Sequence, residues 1–225
     1  MWLEVEYIPT SLFSFKDINA TNTAARSLLI PTPFAVKMAL ISVCIQRYNL
    51  EKAKELFELL KERDISFKLP RDIVVNKTFG RINDLREQVG RSKPGFREYV
   101  FYKGSLKVAC DISNLKEEEL SLLKSLFKSI NYFGKKGSFM QFKGFQILQH
   151  LNENYLKLMG KDYYQAGKSI IQFTEDIPSG ATFEDINIYD SNHRLKRDDN
   201  KRMYVVNLEE VLSGANYQYY KISYT

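Results

Sequence analysis

The residues best suited to hold a ligand lie in the stretch Asn131-Tyr132-Phe133-Gly134-Lys135-Lys136-Gly137-Ser138-Phe139. Two glycines let a backbone turn tightly and come close to a bound group. Successive N–H groups then face a phosphate, while lysines add charge and a serine adds a hydroxyl. Gly134, Lys135, Lys136, Gly137 and Ser138 are therefore candidate contacts for a nucleic-acid backbone. The stretch is not a Walker A loop, which runs Gly-x-x-x-x-Gly-Lys-Ser/Thr from a strand into the start of a helix; here a helix leads in and a strand leads out. An ordinary helix C-cap, where Gly and Lys are both expected, fits the local sequence equally well.

A second basic region joins Arg91, Lys93, Arg97 and Lys103 with Phe96, Tyr99 and Tyr102, a mixture that suits a single-stranded backbone with stacked bases. A solvated loop beside a strand is the competing reading. Arg26, Lys37 and Arg47 are candidates for further positive charge near the first helix. The run from Arg194 to Arg202 also holds Asp198 and Asp199 and reads as an exposed loop. The catalytic inventory is thin, since His150 and His193 are the only histidines. His150, with Tyr132 and Lys135, is the one set that could run metal-free RNA cleavage by general acid–base steps, and a plain surface or core histidine is the favoured reading. Cys44 and Cys110 read as buried thiols, and two Cys with two well-separated His draw no zinc site. No metal or cofactor is expected.

The elements that must position these residues can be read in order. Leu3, Val5 and Tyr7 alternate with Glu4 and Glu6, as in a half-buried strand. Thr32 and Pro33 open a helix carrying Val36, Ala39, Leu40, Val43 and Cys44 at helical spacing. Asn49 caps a second helix with Leu50, Ala53, Leu56, Phe57 and Leu60 on its apolar face. Ile73 to Val75 suggests a short strand, and Arg86 to Arg97 is polar, basic and rich in breakers. Tyr99 and Phe101, then Leu106, Val108 and Cys110, predict a hairpin turning at Lys103-Gly104. Asn114 with Glu117 predicts a capped helix to Asn131, whose Glu117, Glu118 and Glu119 form an exposed first turn. A strand from Phe139 to Leu148 follows the glycine loop. The order strand, helix, strand, strand, helix, strand is the ferredoxin-like or RRM-like βαββαβ arrangement, within an α+β class. Beyond about residue 155, strands at 169–173, 203–206 and 217–222 predict a β-rich C-terminal extension, which divides the chain into 1–150 and 151–225.

The whole composition agrees with such a chain. Of 225 residues, 44% are hydrophobic and 13% aromatic, as in globular proteins. Fourteen Tyr and fifteen Phe are many, but aromatics fill cores as readily as they stack on bases. A net charge of +6 and a pI near 9.1 fit a polyanionic partner. The start lacks the pattern of a signal peptide and the apolar runs are short of a membrane span, so a cytoplasmic protein is expected.

A ferredoxin-like order with a glycine-rich loop between the second helix and the last strand resembles the RAMP superfamily of CRISPR proteins. Residues Leu28 to Leu40 (LLIPTPFAVKMAL) look like the first-helix start of the Cas-five family, and Ile130 to Phe142 (INYFGKKGSFMQF) is similar to that family's glycine loop. The resemblance covers residues 1–150. It implies a non-catalytic subunit that caps one end of a type I surveillance complex (Cascade) and grips the 5′ repeat-derived handle of the CRISPR RNA. Its implied partners are a Cas-seven-type backbone subunit and the large subunit, with target DNA met through the complex and no membrane involved. It also implies a thumb-like insertion, for which 86–97 is the candidate. A minority of the family processes precursor RNA with Tyr, Lys and His, for which no convincing equivalent is found here. Rival readings are a metal-independent repeat endonuclease resembling the Cas-six group, the Cas-seven backbone subunit, and a ferredoxin-like protein with no RNA partner.

Overall fold

The computed structural model describes residues 1–17, 24–83, 92–158, 168–186, 195 and 201–224. Strand β1 (Trp2–Pro9) places Leu3, Val5 and Tyr7 inside with no exposure. Three two-residue strands follow: β2 (Phe15–Lys16), β3 (Ala24–Ala25) and β4 (Ser27–Leu28). Helix α1 (Pro33–Arg47) starts as its sequence predicts, the Thr32 hydroxyl accepting from the Ala35 N–H at 3.0 Å and Pro33 filling the first turn. Helix α2 (Leu50–Lys61) is capped by Asn49, whose Oδ1 accepts from the Lys52 N–H at 2.8 Å.

Next come β5 (Ile65–Lys68), β6 (Asp72–Asn83), β7 (Ser92–Lys103) and β8 (Leu106–Asp111). Helix α3 (Glu117–Ser129) begins two residues later than Asn114 and Glu117 suggested. Asn114 instead takes a left-handed φ of 61°, and Glu119 accepts from the Lys116 N–H at 2.8 Å. Strand β9 (Met140–Leu148) closes the first sheet. The remainder is β10 (Lys157–Leu158), β11 (Ser169–Glu175), a short 3-10 turn at Glu184–Ile186, β12 (Lys201–Ser213) and β13 (Tyr217–Ile222).

The first sheet runs β5–β8–β1–β9 with every neighbouring pair antiparallel. This is the ferredoxin-like order, in which a central first strand lies between the strands before and after α3. Leu3, Val5 and Tyr7 pack with α1, α2 and α3, and the Tyr7 hydroxyl donates to the Phe127 carbonyl at 2.6 Å. The class expected from the sequence is the class found, but one of its strands was misassigned. The partner of β8 is β5, not the Tyr99–Phe101 stretch. β7 leaves the first sheet altogether and pairs with β6 over twelve rungs, from Asp72 opposite Lys103 to Asn83 opposite Ser92. The predicted hairpin across Lys103-Gly104 is therefore absent, and that turn passes the chain from one sheet to the other.

The second sheet runs β10–β12–β13–β6–β7–β3, with β11 also paired to β12. It joins the 72–103 hairpin to C-terminal strands, β13 lying antiparallel to β6 from Tyr217 opposite Asn76 to Lys221 opposite Asp72. Of the candidate insertion at 86–97, residues 92–97 begin β7 at this hairpin's far end; residues 84–91 lie outside the described set, as do most of 187–200 with His193. Among the described residues no helix is long and apolar enough to cross a membrane.

Candidate nucleic-acid interface

Helix α3 ends at Ser129, and Ile130 at its C-cap is already extended (φ −72°, ψ 129°). Gly134 lies four residues further on, so the glycine loop is not this helix's cap. The loop is a separate excursion, pinched at its neck by a bridge between Tyr132 and Phe139 and by the Met140 N–H donating to the Asn131 carbonyl at 2.8 Å. Phe133 anchors it inward, edge-on to Tyr7 at 5.1 Å between ring centres. Gly134 (φ 65°) and Gly137 (φ 106°) turn the backbone through conformations that suit glycine, and Lys135 and Lys136 stand exposed between them. A Cβ on Gly134 would lie 3.9 Å from that of Ala35, so the loop rests against the first turn of α1. That turn carries no acidic residue and presents the positive end of a helix dipole. Behind the loop an open groove of about 560 Å³ runs between the end of α3 and the start of β9, past Lys128, Asn131 and Phe142.

Ser138 plays a different part from the one its sequence suggested. It is 2% exposed, and its hydroxyl donates to the Ser14 carbonyl at 3.0 Å while lying 3.4 Å from the Ser14 N–H. It fastens the loop and is not available to a ligand. One residue earlier, Phe13 exchanges backbone hydrogen bonds with Val100 of β7, at 3.1 and 2.7 Å. Residues 13 and 14 thus tie the glycine loop to the root of the hairpin.

On the hairpin, side chains alternate between faces. Val100 and Tyr102 point into the core, and the Tyr102 hydroxyl donates to the Leu29 carbonyl, which removes Tyr102 from the candidate stacking residues. Further out on that face Phe79 and Phe96 pair with ring centres 5.1 Å apart, and both are more than half exposed. Strand β3 lies parallel to β7 with Ala25 opposite Arg97, so the exposed Arg26 falls one residue on, at the level of Glu98; one Arg97 nitrogen donates to the Phe96 carbonyl at 2.8 Å. Lys93 lies on β7 opposite Ile82, and Arg91 falls outside the described residues.

Lys37 is a correction. Its side chain has no exposure, its ammonium pairs with Asp176 at 2.7 Å and it donates to the Lys61 carbonyl at 3.1 Å. It ties α1 to the segment after β11 and reaches no solvent. Burial pushes the Asp176 carboxyl above its ordinary pKa, against the pull of Lys37 and Arg202. Arg47 is likewise engaged between helices, donating to the Ser125 carbonyl at 3.3 Å and to the Ser129 hydroxyl. His150 is exposed beyond the opposite end of β9, and that nine-residue strand alone spans about 27 Å, so His150 does not meet Tyr132 and Lys135. No group of three or more His, Cys, Asp or Glu among the described residues is placed to hold a metal ion.

Phe79 and the Ser14 backbone escaped the sequence reading. Phe79 follows Ile73 and Val75 on one strand face, a signal that needs the register of β6 against β7 to be seen. Ser14 had none.

No protein-family model matches the chain. A CRISPR-associated protein Cas5 from Archaeoglobus fulgidus is 23% identical over 200 residues, spanning 84% of this chain and 85% of its own. The chain is similar to that Cas5 protein over most of its length. That match bears out the Cas-five resemblance, and it extends well past residue 150. Among solved structures, a CRISPR protein from Archaeoglobus fulgidus aligns with 99% of the chain and 92% of its own, at 11% identity and a TM-score of 0.45. A chain of the type III-B Cmr-beta complex bound to cognate target RNA aligns with 64% of this chain and 59% of its own, at 10% identity and a TM-score of 0.47.

Proposed function

We propose that this Cas5-like chain is a non-catalytic subunit of a CRISPR effector complex that holds the 5′ repeat-derived handle of the CRISPR RNA, in a type I complex of the cytoplasm. The observation that carries the reading is the glycine loop: two exposed lysines between positive-φ glycines, resting on the first turn of α1 and tied through Ser14 to the hairpin root. Phosphates meet Lys135 and Lys136 at the loop, and the exposed Arg26 extends the positive path toward the Phe79–Phe96 pair, where a base can stack. The role is gripping: the Tyr, Lys and His that could run metal-free cleavage stand at opposite ends of β9. A Cas-seven-type backbone subunit and the large subunit are the protein partners, and target DNA is met through the assembled complex.

The test is handle-RNA binding by fluorescence anisotropy across a salt series. Lys135→Ala/Lys136→Ala weakens binding and lowers the slope of log K against log salt by about 1.4, two phosphate contacts on a single strand. Unchanged affinity and slope remove the loop from the interface. Cleavage of repeat RNA by the pure protein in EDTA would overturn the non-catalytic reading in favour of a repeat endonuclease.

A further inference from the structure

The opposite face of the hairpin has a chemistry of its own. Along β7, Arg97, Tyr99, Phe101 and Lys103 alternate with the inward Val100 and Tyr102, so all four share the face turned from the core. Register extends this face across two more strands: Tyr99 and Tyr217 both pair with Asn76, and Phe101 and Tyr219 both pair with Val74. Four rings therefore occupy two adjacent rungs. Phe101 is 46% exposed and Tyr217 37%. The Tyr219 hydroxyl donates to the Asp72 carboxylate, which fixes that ring in place.

The charges frame the rings. Lys103 and Lys221 both lie opposite Asp72 on the rung beyond Phe101 and Tyr219, and Arg97 lies on the rung beyond Tyr99. Lys103 and Lys221 thus flank a carboxylate that a tyrosine already engages, Glu209 lies opposite Lys221 on the next strand, and Arg97 stands at the far end of the file. Rings two residues apart on a strand are separated by about 6.8 Å, twice the stacked-base rise, so each can take one unstacked base while cations at the ends of the file take the backbone. Neither the glycine loop nor the Phe79–Phe96 pair, which lies on the other face, takes part.

We propose that this outer face of the second sheet is a stacking platform for single-stranded nucleic acid, with Tyr99, Phe101 and Tyr217 receiving bases and Arg97, Lys103 and Lys221 receiving phosphates. It goes beyond handle gripping, because it is a second site that stands or falls independently of the loop.

The experiment uses the full chain and labelled 12-mers of oligo-U and oligo-dT in fluorescence anisotropy. Phe101→Ala and Tyr217→Ala each lower affinity about ten-fold with an unchanged salt slope, because a ring contributes stacking and no counterion release. Phe101→Tyr restores it. Loss with both oligomers supports a platform open to either strand chemistry; loss with oligo-U alone supports it and assigns it to RNA. Lys135→Ala/Lys136→Ala changes the salt slope instead, so a failure of the loop reading is seen separately. The proposal is overturned if wild-type protein binds neither oligomer, or if ring variants with native circular dichroism bind both as wild type does. It is equally overturned if those variants lose only a co-purifying protein subunit, which marks the face as a protein contact.

Discussion

Phenolic hydroxyls do much of the joining in this molecule. Tyr204 donates to the Ile65 carbonyl at 2.6 Å, Tyr7 to Phe127, Tyr102 to Leu29 and Tyr224 to Leu69, each linking parts of the chain far apart in sequence. The surplus of tyrosine noted in the composition thus has a structural use, which no count of aromatics could separate from base stacking. Tyr204→Phe leaves the Ile65 carbonyl without that donor and should lower stability by about 1–3 kcal/mol in urea titration. An unchanged midpoint would mean that water replaces the hydroxyl. The Lys37–Asp176 pair gives a sharper test. Lys37→Met strands a buried carboxylate and should cost about 3–5 kcal/mol, while Lys37→Met/Asp176→Leu recovers most of the loss. A double variant as unstable as the single would show that the pair is favourable in its own right. Lys37 was legible in principle: it lies on the spacing of Pro33, Ile41 and Cys44, all buried, and its charge concealed the pattern. Burial also pushes Cys110 up to about 12 and raises Cys44, so neither thiol should react with a disulfide reagent at neutral pH until denaturant opens the fold.

At the scale of elements, helix starts were the most readable because a cap is a local event. Thr32 and Asn49 accept the bonds expected of them. Strand membership was much less so. Ile65–Lys68 is four residues long and carries no clear alternation, whereas Tyr99–Phe101 stands one short turn from Leu106 and imitates a hairpin arm. What diverts the chain is Gly104, at φ 135°, where a Cβ would meet that of Pro70 at 3.1 Å. Gly104→Ala combines backbone strain with that contact and should cost about 1–3 kcal/mol, read as a lower denaturation midpoint. A neutral result would mean that the turn relaxes without disturbing either sheet.

For the whole molecule, the ferredoxin-like order could be inferred because hydrophobic periodicity survives without knowing partners. The second sheet could not, since β6 precedes its neighbour β13 by more than a hundred residues. The polar face of the first sheet sets the response to acid. Burial alone would raise Glu4, but hydrogen bonds from Lys107, Tyr155 and Gln146 outweigh it and hold the carboxyl below its ordinary 4.5. Bonds from Ser105 and Lys143 hold Glu6 low as well. Both groups are depressed in the fold, so the stability they contribute is present above 4.5 and is lost as pH falls through the lower, folded values. Denaturation midpoints should therefore stay level on the approach to that value from neutral pH and then drop. Glu4→Gln should start lower and drop less steeply; a parallel curve would assign the acid response elsewhere.

The stretch from Tyr7 to Phe15 reads as a surface connection of the sort that tolerates extra residues. Its contacts make it a ruler. Thr10 binds the Phe139 carbonyl, Phe13 is locked to Val100, and Ser14 holds Ser138. An added or deleted residue there would shift one fastening against the others, so the chain length between the first strand and Ser14 sets the distance from lysine loop to hairpin. Any nucleic acid spanning both would meet a gap measured out in peptide units.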